Sequence, residues 1–271
     1  MQSRHSSAHQ VAFFLRELAD ATAARRLAAV KGLGSVGARE ALPQLMAAAR
    51  DDTDPAVRAA AMCSIGRLAS TGAAEVLLTG LVDDEAEVRV AAARALPATD
   101  ATGPEVVAAL GAALADDEWK VREAAATHLG RLGVATADVV DALIAALGRH
   151  GGWKLGIAWW AAYRALEQLA GQPVTAQRLR HGLRSAPAGA SRYGCLLLLR
   201  RHAPDEIRAL AVAALTDSFQ PVRHHAAYLL IERPHADNVG ALTAALAAEQ
   251  DQRTRSAIEQ ALGSVGDSSP R

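Results

Sequence analysis

Trp159, Trp160 and Tyr163 fall within five residues of one another in a chain of which only 4% is aromatic. Rings with one polar edge suit places where an apolar surface meets a polar partner, as binding sites do. Arginine is the other recurring functional type. Between Glu167 and Asp205 there is no acid, but there are Arg178, Arg180, Arg184, Arg192, Arg200 and Arg201. Guanidinium groups beside rings suit phosphate contact with base stacking, an acidic peptide or an anionic small molecule. Metal chemistry finds little support: His5 and His9 have i,i+4 spacing but lie in a Ser-rich terminus, and His224 and His225 face different directions on a helix. Cys63 and Cys195 give neither a disulfide framework nor zinc spacing. There is no glycine-rich phosphate loop, no Gly-x-Ser-x-Gly and no Cys-x-x-Cys, so no metal, cofactor or catalytic residue is assigned.

What positions these side chains is an internal repeat. An Arg, small residues two and three places later, and a large aliphatic seven places later recur along the chain. The arginines are Arg26, Arg58, Arg89, Arg122, Arg192, Arg223 and Arg255; the aliphatics are Leu33, Ile65, Leu96, Leu129, Leu166, Leu199, Leu230 and Leu262. Trp159 occupies the Arg position of the unit that contains Leu166, which makes eight units. Each unit has a second apolar segment before the Arg segment, such as LPQLMAAA or VVDALIAAL. Apolar residues at three- and four-residue steps predict two amphipathic helices per unit, and Asp54-Pro55, Gly103-Pro104 and Gln220-Pro221 suit helix starts. The expected fold is all-α, a right-handed solenoid of about eight helical hairpins, none of which can bury its apolar face alone.

Going around the helix at 100° per residue, the first, fifth, eighth and ninth positions after the Arg point outward. The first position includes Trp160, Tyr193 and His224, and the fifth includes Arg94, Arg164 and Tyr228. Tyr163 flanks the same face, and Arg131 and Arg201 hold ninth positions in a basic line that also takes in Lys31 and Arg67. These nine residues, Arg94, Arg131, Trp160, Tyr163, Arg164, Tyr193, Arg201, His224 and Tyr228, are the candidate binding surface. The plainer alternative is that the rings fill a wider gap beside the glycine-rich insert His150–Lys154. On that reading Trp159 is a packing substitute at the Arg position and Trp153 packs under the glycine turn.

With this register the chain resembles the HEAT-repeat family, in its short bacterial phycobilin-lyase-like form. The signature is Asp54-Pro55-Ala56-Val57-Arg58 followed by Ala60, Ala61, Ile65 and Gly66, echoed at Val88-Arg89 and Val121-Arg122. The resemblance implies that the Arg helix lines the concave face, and that a turn acid and a helix Arg form a ladder between repeats. Asp54 with Arg58, Glu85 with Arg89, Glu118 with Arg122 and Asp251 with Arg255 have an acid four residues before the Arg and are the expected rungs. Units one, five, six and seven lack that acid. The implied function is a scaffold binding a partner or anionic ligand on the concave face of repeats 4–7. A protein or peptide is the expected partner, nucleic acid being another, and no membrane.

The family also contains enzymes, and the alternative is an enzyme acting on a ligand in the same groove, similar to alkylpurine DNA glycosylases or bilin lyases. The iron-binding His-Glu pairs of the similar deoxyhypusine hydroxylases are absent. Lys plus Arg and Asp plus Glu both number 29, which excludes a global field toward nucleic acid or anionic lipid. No apolar run reaches membrane-spanning length, and the short run VAFFL near the N-terminus reads as helix rather than signal peptide. The expected organisation is a flexible 1–6, one solenoid over 7–266 with a possible kink in repeat five at about 136–171, and a flexible 267–271, in a cytoplasmic protein.

Overall fold

The computed structural model describes residues 2–68, 71–149 and 156–267. Two compact units divide the chain, residues 1–132 and 133–271. The first holds helices α1 (Gln2–Glu17), α2 (Ala23–Val36), α3 (Leu42–Asp51), α4 (Pro55–Leu68), α5 (Ala74–Gly80), α6 (Ala86–Ala95), α7 (Pro104–Ala113) and α8 (Trp119–Leu132). The second holds α9 (Ala137–Leu147), α10 (Ile157–Leu169), α11 (Pro173–Ser185) and α12 (Gly189–His202). It continues with α13 (Ile207–Ala214), α14 (Gln220–Ile231), α15 (Val239–Ala248) and α16 (Gln252–Asp267). Each unit is therefore four hairpins, and no strand occurs among the described residues.

The repeat register accounts for the core. The seventh-position aliphatics Leu33, Ile65, Leu96, Leu129, Leu166, Leu199 and Leu230 are all buried, and Leu262, on the last helix, is half-buried. Within the first unit α2 packs on α4 and α4 on α6; within the second α12 packs on α14 and α14 on α16. Small third-position residues, Ala29, Ala61, Ala92, Ala125 and Ala162, are buried where helices approach. In units one and two the eighth position differs from expectation, whereas Arg200 and Gly263 at the same position are exposed. Gly34 is buried, and a Cβ there would lie 2.4 Å from the Ser64 Oγ of the next repeat; at Gly66 it would lie 2.8 Å from Ala95 Cβ. These glycines permit close helix contact rather than facing outward.

The ladder is present, but its acids are not the expected ones. Arg58 reaches forward 25 residues and donates to both oxygens of Asp83, at 2.9 Å each. Arg26 does the same with Asp52, Arg89 with Asp116, Arg192 with Asp217 and Arg223 with Glu249, with Nε bonds of 2.6–2.7 Å. Each acid also accepts the backbone N–H two residues on, at Asp54, Glu85, Glu118, Phe219 and Asp251. Meanwhile the Nη1 of each Arg donates to the carbonyl six residues before it, as Arg58 does to Asp52 and Arg255 to Glu249. A single acid thus ties the previous helix to its own turn.

The acids four residues before the Arg act within their own turns. The Asp54 Oδ1 accepts from the Ala56 and Val57 N–H groups, capping α4. Glu118 accepts from Lys120 N–H, and Asp251 from Thr254 and Gln220. Glu85 sits at the cap of α6 without a side-chain bond. Units one, six and seven, expected to lack rungs, have them through Arg26, Arg192 and Arg223. Arg122 is the reverse case. It is 8% exposed and donates to the carbonyls of Asp116 and Asp117, but its Nε has no partner.

Candidate functional site

Helix α10 begins after Gly156 and turns three rings to one side. Trp159 and Tyr163, one turn apart, stack at 5.3 Å between centroids with planes 14° apart. Trp160 meets both edge-on, at 5.0 Å from Trp159 and 5.6 Å from Tyr163. Burial separates their roles. Trp159 is 0% exposed and Tyr163 half-buried, whereas Trp160 is 45% exposed. Trp159 is therefore core, standing where other helices carry the ladder Arg, and it forms the floor on which the other two rings rest. Trp153 lies outside the described residues.

On α12, Tyr193 and Leu197 are half-buried and Arg201 is exposed. Arg201 donates to Glu167 of α10, and both charges act on the Tyr163 hydroxyl. Burial, with Glu167 second, raises the Tyr163 pKa; burial alone raises that of Tyr193. On α14, Tyr228 is 52% exposed and its ring lies 6.3 Å from half-buried His224. All three tyrosines, Trp160 and His224 thus occupy consecutive Arg-type helices of the second unit. Arg164 is exposed one turn beyond Trp160.

Two members of this face escaped the sequence reading. His225 meets Tyr193 edge-on at 5.7 Å. Burial, aided by Arg200, pushes its pKa down to about 4, so the ring is neutral at pH 7. Its signal was a histidine at the second position, where most repeats carry Ala. Ile157 is 59% exposed one turn before Trp160, and together with Arg164 it extends the ring face along α10. The Nε1 of Trp159, Nδ1 of His224 and Nε2 of His225 are buried without hydrogen-bond partners.

The basic line is partly neutralised. Arg201 pairs with Glu167, Arg200 with Glu232 at 2.7 Å, and in the first unit exposed Arg94 lies 3.7 Å from Glu123. Arg131 is exposed, also in the first unit. Among the described residues no three His, Cys, Asp or Glu side chains cluster as a metal site would need. A Ser–His contact, Ser185 Oγ to His181 Nε2 at 3.1 Å, has the hydroxyl within donating distance of its own helix carbonyl at His181. No described helix is long and apolar enough to cross a membrane.

Among solved structures, Kap121p bound to RanGTP is similar over 96% of this chain and 33% of its own, at 13% identity and TM-score 0.68. Importin beta is similar over 97% of this chain and 41% of its own, at 13% identity and TM-score 0.64. The phycocyanin lyase complex CpcE–CpcF from Nostoc sp. PCC7120 aligns over 94% of both chains, at 21% identity and TM-score 0.48. No curated protein matches the chain in sequence. HEAT repeats match residues 11–97, 74–155 and 107–200. A repeated Arg helix, hairpins stacked on it, and these matches place the chain in the HEAT-repeat family.

Proposed function

We propose that the face formed by α10, α12 and α14 binds a protein or peptide partner, with the rings as anchors and the arginines orienting an acidic part of it. The observation that carries this reading is the exposure of Trp160 and Tyr228, 45% and 52%, on helices whose outward positions also carry the charged Arg164, Glu167, Arg200, Arg201 and Glu232. Trp160 rests edge-on against the stacked pair of buried Trp159 and half-buried Tyr163, so its ring loses little side-chain entropy on binding. Arg164, exposed beside it, supplies a guanidinium for a carboxylate. Kap121p, similar in fold, carries RanGTP in its structure.

The experiment compares wild type with Trp160→Ala and Tyr228→Ala in affinity capture, followed by titration of the recovered partner. Each substitution is expected to weaken binding at least tenfold with unchanged helical circular dichroism. Equal affinity for wild type and both variants would remove the ring face from the interaction. A parallel titration with duplex DNA separates nucleic acid from protein. Affinity that falls steeply with salt would assign the arginines to phosphates instead.

A further inference from the structure

The rung between repeats five and six has lost both of its members. In the five complete rungs an Arg meets the acid that stands six residues before the next Arg. Here the Arg position holds Trp159, and the residue six before Arg192 is Ala186. Trp159 packs its Cζ2 edge against α12, 3.3 Å from where a Cβ on Gly194 would stand, and its fully buried Nε1–H has no acceptor.

Ala186 lines a cavity of about 430 Å³. One wall is α9, with Asp141, Ile144 and Ala145; another is α11, with Arg178, His181, Gly182 and Ser185. Pro187, Ala188 and Ser191 close it at the start of α12. That volume lies in the range of small-molecule sites, and most of the lining is apolar or small. The polar groups are mainly basic: Arg149 is exposed, His181 is exposed, and Arg178 is held by Asp141. In the complete rungs the acid also accepts the N–H two residues on; here that N–H belongs to Ala188, and the Ala186 methyl offers it no acceptor.

We propose that this cavity binds a small organic acid. Its carboxylate takes the position of the missing ladder acid, reached by the Ala188 N–H, Arg149 and His181. Its apolar body lies against Ile144, Ala145 and Pro187. This site is separate from the ring face proposed above and does not depend on it.

The test uses the full chain and octanoate as probe, with octanol and inorganic phosphate as comparators, read by isothermal titration or ligand-observed NMR. Octanoate is expected to bind saturably and at least tenfold more tightly than octanol or phosphate. Arg149→Ala, at an exposed position, is expected to weaken octanoate at least fivefold at unchanged melting temperature. Ala186→Asp, which supplies the chain's own carboxylate, is expected to abolish binding. If Ala186→Asp does not fold, Arg149→Ala carries the test. Equal affinity for octanol would reduce the cavity to an apolar sink, and tighter binding of phosphate would assign it to phosphate. Octanoate binding unchanged in the variants, or absent at millimolar concentration, overturns the proposal.

Discussion

Trp159 places an indole where five other helices extend a guanidinium to the next hairpin. A buried ion pair contributes little net stability over a well-packed apolar residue, while half of such a pair is strongly destabilising. The simultaneous loss of Arg at 159 and acid at 186 follows that rule. Trp159→Arg alone should therefore cost about 3–5 kcal/mol, and adding Ala186→Asp should recover a substantial part of it. Denaturant unfolding of the four-member cycle measures the coupling; strictly additive effects would mean that the two positions do not face each other.

His225 makes a pH prediction at the same scale. Its folded pKa is depressed to about 4 from 6.5, chiefly by burial, so between those values the unfolded state binds the extra proton. Stability should then be lost as pH falls from about 6.5 to about 4, by on the order of 1–2 kcal/mol after screening of the ring's wet edge. Thermal melts across this range should show a slope that His225→Gln flattens; an unchanged slope would place the effect elsewhere. The Trp159 substitution was legible as a departure from the repeat. His225 was not, because a ring at the small second position becomes a contact only once Tyr193 of the preceding Arg helix, α12, is placed against it.

Among the elements, the Arg helices are held by turn acids whose pKa values record the bond. Hydrogen bonds from Arg26, Arg58 and Arg223 hold the carboxyls of Asp52, Asp83 and Glu249 below their ordinary range. Their contribution is present above the unfolded carboxyl range and is lost as pH falls below about 4. Arg223→Ala would leave the Glu249 carboxylate, whose side chain is 2% exposed, without its cation. That should cost about 3–5 kcal/mol by chemical denaturation, against under about 1 kcal/mol for Arg25→Ala, whose side chain is 64% exposed. A similar loss for both would mean that burial does not set the strength of the rungs.

The sequence register located the ladder arginines but assigned their acids two residues late. Asp52 and Asp54, Asp83 and Glu85, Asp116 and Glu118, and Glu249 and Asp251 present two acids at each turn. Local spacing favours the one nearest its own helix, and that one caps the helix or sits at its cap position. The rung is a contact 25–27 residues away, visible only when hairpins are stacked.

At the scale of the whole molecule, the repeat pattern made the all-α hairpin stack legible, because each helix repeats one spacing of Arg, small residue and aliphatic. Its division into units at 132/133 falls just before the longer fifth repeat, at about 136–171, which the sequence marks by its glycine-rich insert. What the pattern cannot contain is the identity of a partner, because outward positions are free of the packing rule that fixes inward ones. Trp160 and Tyr228 stand at such positions, and removing either ring should change melting free energy by less than about 1 kcal/mol.

The most direct measurement is a calorimetric titration of a captured partner into wild type and the Trp160→Ala/Tyr228→Ala double variant. A binding face on α10, α12 and α14 predicts an affinity loss of about 100-fold, or about 2.7 kcal/mol, with both proteins melting alike. Undiminished affinity in a folded double variant would contradict it.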